Sequence, residues 1–189
     1  KTAIYNQTVK YYPNDYRAYN NLADLSMQAG NLASAKENLN KAARLAPSAA
    51  EVNTNLGLIA LAEGNVVAAE NYLVKGTDSE ANEAALGNLY IAQGQYERAA
   101  IALEESKSNA AALAQIMSEN YTAAKNILKE IETPDAYTYY LSAIVGARTN
   151  NTSMVAENLA KAVSLDSSLR DKAAKDMEFK KFASVLLNL

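Results

Sequence analysis

The sequence contains neither cysteine nor histidine. Without thiols there is no disulfide, no thiolate nucleophile and no thiolate metal site, and the chain fits any redox compartment. Without imidazole it lacks the side chain most used for proton transfer at neutral pH and for metal ligation. Tryptophan is absent and only two phenylalanines occur, so bulky contacts fall to leucine and the twelve tyrosines. The seven glycines come singly, and the sequence carries no phosphate-cradling glycine loop, no dinucleotide fingerprint and no calcium loop of the D-x-D-x-D-G kind. Excess positive charge is missing too: 18 basic against 21 acidic residues leave a net charge of −3 and a pI of about 5.1. That balance argues against a nucleic-acid surface, which leans on clustered Lys and Arg. The longest apolar window, around Leu56 to Ala62, is far short of the roughly 20 residues of a membrane span. No cofactor is expected.

What is present is periodicity. Tyr16 to Pro47 reads as two amphipathic helical patterns hinged at Gly30-Asn31 and closed by Pro47. Leu22, Gly30, Ala35 and Leu39 return 34 residues later as Leu56, Gly64, Ala69 and Leu73. A fixed period in this range marks an array in which each unit buries its apolar face against its neighbours. The high alanine content agrees, because helices that approach closely need small residues at the crossing. Ala23, Ala35 and Ala42 stand at such places.

The pattern divides the chain as one array over residues 1–189. Residues 1–13 read as a half repeat, followed by repeats at 16–48, 50–79 and 80–106. A degenerate short repeat covers 110–132, where Tyr121, Ala124 and Leu128 match Tyr96, Ala99 and Leu103 at a shift of only 25. Its first helix is expected over about Ala110 to Ser118. A further repeat spans 135–165, and 167–189 forms a helical C-terminal cap. Asn14 or Asp15 caps the first full repeat, since either side chain can accept from the free amides of a first turn. Gly30 ends its first helix through the left-handed conformation. In the cap, Met177, Phe179, Phe182, Val185 and Leu186 are expected to supply the apolar side. The chain opens at Lys1, partway through a helical pattern, and reads as a piece of a longer protein.

The small-residue spacing, the hinge glycine and the closing proline resemble the tetratricopeptide repeat (TPR). The resemblance covers nearly the whole chain and is strongest from Tyr16 to Leu103. It implies an all-α fold: a right-handed superhelical α-α solenoid of helix pairs with a C-terminal capping helix. It also implies a non-catalytic scaffold whose first helices line a concave groove for a protein or an extended peptide. Carried over by position, the lining is Arg17, Asn20, Asn21, Asp24 and Gln28, then Glu51, Thr54, Asn55 and Leu58, then Asn88. The last helix pair adds Tyr137, Tyr140, Ile144 and Arg148. Asn21 and Asn55 occupy matching places, and amides carry both donors and acceptors, so a row of them can hold a peptide backbone without reading its side chains. A basic clamp for a peptide carboxylate is not reproduced, because only Arg17 and Arg148 are available and they lie far apart along the array.

Other readings stand beside the groove. The acid pairs Glu104 with Glu105, Glu130 with Glu132 and Glu80 with Glu83 are candidates for carboxylate catalysis, which needs two groups facing one cleft. Their places on helix surfaces favour solvated faces, and no enzyme is expected. In the cluster Arg170, Lys172, Lys175, Lys180 and Lys181, the interleaved Asp171, Asp176 and Glu178 largely cancel the charge. Self-association, as a homo-oligomer or structural spacer, would use the face near Lys1 or the helix bearing Tyr137 to Tyr140. Glycan binding, as in TPR-bearing receptors of the bacterial envelope, is disfavoured by the absence of tryptophan. The irregular, Asn- and Tyr-rich repeats resemble those of envelope proteins of the Bacteroides group, which points the parent protein towards the bacterial cell envelope.

Overall fold

A computed structural model describes all of residues 1–189. It is all-helical, with thirteen α-helices and one 3-10 segment and no strand. The chain forms two compact units, Lys1–Leu89 and Tyr90–Leu189.

The first unit holds α1 (Thr2–Tyr11), α2 (Tyr16–Gln28), α3 (Leu32–Leu45), α4 (Ala50–Ala62), α5 (Val66–Leu73) and most of α6 (Glu80–Ala92). Helices α2 and α3 pack along their length, as do α4 and α5. Between α2 and α3, Ala23, Ala35, Leu39 and Ala42 are fully buried and join Val52 and Ile59 of α4 in one core. Alanine at these crossings removes the side-chain bulk that would hold the helices apart. Asp15 makes the α2 cap by accepting from the Arg17 amide at 3.1 Å. Helix α1 contributes no buried residue.

The second unit holds α7 (Tyr96–Ala102), α8 (Asn109–Met117), α9 (Tyr121–Glu130), α10 (Ala136–Arg148) and α11 (Thr152–Leu165). It closes with α12 (Leu169–Lys175), the 3-10 segment Met177–Phe182 and α13 (Ala183–Leu186). Leu103, Ile116, Ala124, Leu128, Leu141 and Val145 form one core. Tyr140, Val155, Leu159, Ala162, Phe179, Phe182 and Val185 belong to a second.

One turn recurs within the helix pairs. Gly30 (φ +73°) ends α2, with the Gly30 amide bonded to Met27 O and the Asn31 amide to Ser26 O. The Asn31 side chain then accepts from the Ser34 amide and starts α3. This is the 6→1 and 5→2 closure that a left-handed residue makes possible. Gly64 and Gly94 repeat it, and so do two residues with side chains, Glu119 (φ +63°) and Asn150 (φ +53°).

The C-terminal cap corrects one expectation. Phe179 and Phe182 are buried, Val185 lies at the edge of the same core and Leu186 packs against it, but Met177 is 73% exposed. In a 3-10 helix residues three apart eclipse one another. Phe179 and Phe182 fall on that spacing, whereas Met177 is out of step with it.

Candidate functional site

In the first unit, the first helices α2 and α4 meet side by side through two polar bonds. The Tyr16 hydroxyl donates to Glu51 Oε1 at 2.7 Å, and Asn55 Nδ2 donates to Asn20 Oδ1 at 3.0 Å. Both pairs are 35 residues apart, one more than the sequence period, because facing positions on parallel neighbours are not the equivalent ones. The Tyr16 bond holds the Glu51 carboxyl below its ordinary pKa, and the carboxylate in turn holds the phenol above its own.

Asn20 is buried, with its oxygen taken by Asn55. Asn55 and Asn21 are half-buried, and Asn21 has no partner inside the chain. Asp24 accepts from Gln28 Nε2 at 2.8 Å, one turn away on the same helix. Arg17 is exposed and folds back on its own cap residue, with Nε and Nη2 each 2.9 Å from Asp15 oxygens. Leu58 is half-buried and Asn88 is exposed.

Thr54 does not share that surface. It is buried, and its hydroxyl accepts from the Thr77 amide at 3.0 Å and donates to Asn82 Oδ1 at 3.2 Å. Asn82 Nδ2 donates to Leu73 O at 3.0 Å. The knot closes over Gly76, where an added Cβ would collide with Asn82 Oδ1 and come within 2.6 Å of Thr54 Oγ1. Here the connection between α5 and α6 is tightest, and polar side chains rather than a proline hold it. The one mark of this knot that the sequence carries is the isolated Gly76; spacing gives no sign that the threonines and Asn82 are its partners.

In the second unit the residues carried over from the family serve largely to seat the cap. Tyr140 is 1% exposed and its hydroxyl donates to Asp176 Oδ2 at 2.7 Å. Burial is the main cause holding that phenol far above its ordinary pKa, with the Asp176 carboxylate next. The Phe179 ring stands edge-on to Tyr140, with centroids 5.5 Å apart. Arg148 donates to Glu178 through Nε at 3.1 Å and Nη2 at 2.6 Å, and through Nη1 to Ile116 O at 3.2 Å. The bond to Glu178 raises the guanidinium pKa further. Tyr137 remains exposed on one side and carries Lys172 Nζ at 5.4 Å from its ring centre, while Ile144 packs between the two cores. Lys172 is thus engaged with the aromatic rings of α10 rather than being a free member of a basic cluster.

No group of three or more His, Cys, Asp or Glu residues is placed to hold a metal ion, and no helix is long and apolar enough to cross a membrane. Of the acid pairs, Glu130 forms an exposed ion pair with Lys107 at 3.0 Å.

Sequence profiles described as "Tetratricopeptide repeat" match residues 3–35 and 26–81, and a second such profile matches 84–113. The chain belongs to the tetratricopeptide repeat family. No curated protein matches this TPR chain in sequence. Among solved structures it is similar to YrrB, described as a TPR protein with an unusual peptide-binding site, at 18% identity and a TM-score of 0.72, covering 88% of this chain and 94% of that one. It is also similar to PilW, a type IV pilus biogenesis factor (17% identity, TM-score 0.62, 96% and 89% covered). A tetratricopeptide repeat protein from Parabacteroides merdae ATCC 43184 follows at 16% identity and a TM-score of 0.52, with 98% and 76% covered. At these identities the likeness is one of fold: TPR helix pairs of the all-α solenoid class.

Proposed function

We propose that this TPR protein is a binding module whose first unit holds an extended peptide along the faces of α2, α4 and α6. The observation that carries the reading is the Asn20–Asn55 bond. It uses one donor and one acceptor and fixes both amide planes. Asn20 Nδ2 and Asn55 Oδ1 are left without partners inside the chain. A donor and an acceptor held side by side complement one peptide unit, and their orientation is set before any ligand arrives. Asn21 stands next to them and Asp24, Leu58 and Asn88 extend the surface. YrrB, similar in fold, is described as having a peptide-binding site, which agrees with a peptide ligand here.

Peptides selected from a displayed random library would supply the probe, and fluorescence polarisation the affinity. The Asn21→Ala, Asn55→Ala double variant should bind roughly tenfold more weakly, about 1.4 kcal/mol, while circular dichroism shows the helices intact. Equal affinity in the double variant would remove this surface from consideration.

A second reading has its own observation. Helix α1 buries nothing, and Ile4 (65%) and Tyr11 stand exposed on it, with Tyr12 exposed just past its end. Self-association through this face would appear as a concentration-dependent mass in light scattering. A strict monomer at high concentration excludes it.

A further inference from the structure

The second unit carries a cleft that owes nothing to the first-helix surface. Its walls are α9 and α11, the second helices of two successive pairs, and its floor is α10. A cavity of about 540 Å³ is lined by Leu128, Ile131, Pro134, Tyr139 and Met154 as apolar surface, with Thr138 and Ser142 between them. A second hollow of about 390 Å³ shares Lys125, Lys129, Asn151 and Met154 with it and runs on to Tyr121 and Thr149. The two form one trough along α9.

The walls differ in charge. Lys125 and Lys129 lie one turn apart on α9, both exposed, and neither has a carboxylate partner in the chain. The only carboxylate in the lining is Glu157, exposed on the α11 wall. Lys161 caps the Tyr139 ring at 5.4 Å from its centre. On a protein of net charge −3, this is a local excess of positive charge over an apolar floor.

Shape argues for a chain rather than a compact molecule. From Tyr121 to Ile131 the trough follows ten residues of helix, about 15 Å at 1.5 Å per residue. An extended peptide of four to five residues covers that length. The α11 wall offers Asn158, whose Nδ2 is bonded to Met154 O while its oxygen has no partner in the chain, and so can accept from a peptide amide.

We infer that the α9–α11 trough is a second binding site, for an extended acidic peptide. Its carboxylates face Lys125 and Lys129, and its aliphatic side chains pack on Leu128, Ile131, Tyr139 and Met154. The site is independent of the Asn20–Asn55 surface, which lies in the other unit.

The probe is a fluorescein-labelled hexapeptide alternating Glu and Leu, with a Lys–Leu hexapeptide as its counterpart, both read by polarisation. The Glu–Leu peptide should bind saturably and the Lys–Leu peptide should not. Lys125→Glu with Lys129→Glu should weaken binding about tenfold or more, as reversal of two facing charges does. Glu157→Lys should tighten it several-fold, and Asn21→Ala with Asn55→Ala should leave it unchanged. All the substituted side chains are exposed or half-buried, so thermal melts should show a folded protein throughout. Absence of saturable binding, equal binding of the two peptides, or full affinity in the lysine double variant would each overturn the assignment. So would loss of binding in the asparagine variant, which would place the peptide on the other surface.

Discussion

Tyr140 of α10 and Asp176 at the start of the 3-10 segment are joined by a 2.7 Å hydrogen bond across 36 residues. Asp176 also accepts from the Glu178 amide at 3.0 Å, so one carboxylate both starts the cap's helix and anchors it to the last helix pair. Tyr140→Phe keeps the ring against Phe179 and removes only the bond. A hydrogen bond to a charged group is worth about 1.5–3 kcal/mol, so the second unit should melt several degrees lower. A melt indistinguishable from the parent would show that Phe179 packing alone seats the cap.

Arg148 ties three pieces together: its own helix, the Ile116 carbonyl at the end of α8 and Glu178 in the cap. Both partners of the ion pair are mostly buried, at 23% and 27% side-chain exposure. Arg148→Met retains the aliphatic stem and strands the carboxylate, at a cost of roughly 1–3 kcal/mol. Hydrogen exchange of the Met177–Phe182 amides should quicken while the α2–α3 amides keep their protection. Unchanged exchange in the cap would mean the ion pair holds nothing in place.

Asp135 caps α10 by accepting from the Thr138 amide at 2.8 Å and hydroxyl at 2.9 Å, and from Asn109 Nδ2 at 3.1 Å. The Thr138 amide bond is the largest cause holding its pKa below the ordinary 3.8. Because the folded-state value is the depressed one, the stabilisation is present above that ordinary value and is lost as pH falls through the folded value. Asp135→Ala should therefore cost about 1 kcal/mol at neutral pH, the usual worth of an N-cap. The difference between the two proteins should shrink below pH 3.8. Denaturant titrations across that range would reveal it, and a pH-independent gap would contradict the linkage.

Gly76 has no room for a methyl group, since Thr54 Oγ1 and Asn82 Oδ1 occupy the space. Gly76→Ala should lose about 1–3 kcal/mol through overpacking, seen as a lower denaturant midpoint for the first unit. An unperturbed midpoint would indicate that Asn82 can swing away freely.

Glu119 holds φ +63° in the turn that Gly30, Gly64 and Gly94 make elsewhere. A side chain in the left-handed region costs about 1–2 kcal/mol, and glycine adds some unfolded-state entropy in return. Glu119→Gly should be net stabilising by about 0.5–1 kcal/mol. A destabilised variant would show that the Glu119 side chain contributes more than its backbone strain costs.

Much of the fold was legible because the repeat signals are local. Gly30, Gly64 and Gly94 mark helix ends by a conformation that glycine adopts without cost, and Ala23, Ala35 and Ala42 mark close helix crossings by their size. The same turn at Glu119 and Asn150 left no glycine to read, because a backbone conformation can be imposed by the helices on either side. The roles of the residues carried over as groove lining were not legible in the sequence. Thr54 and Tyr140 sit where family positions put a ligand surface, yet both are buried in bonds to segments 23 to 36 residues away.

Period, the glycine-marked helix ends and the absence of imidazole and thiol chemistry were settled by the amino-acid order alone, since each depends on a residue and its near neighbours. Which polar side chains face outward was decided only when the helices packed. A hydroxyl or carboxylate is free or engaged according to what a distant segment brings within 3 Å, and spacing along the chain carries no record of that distance.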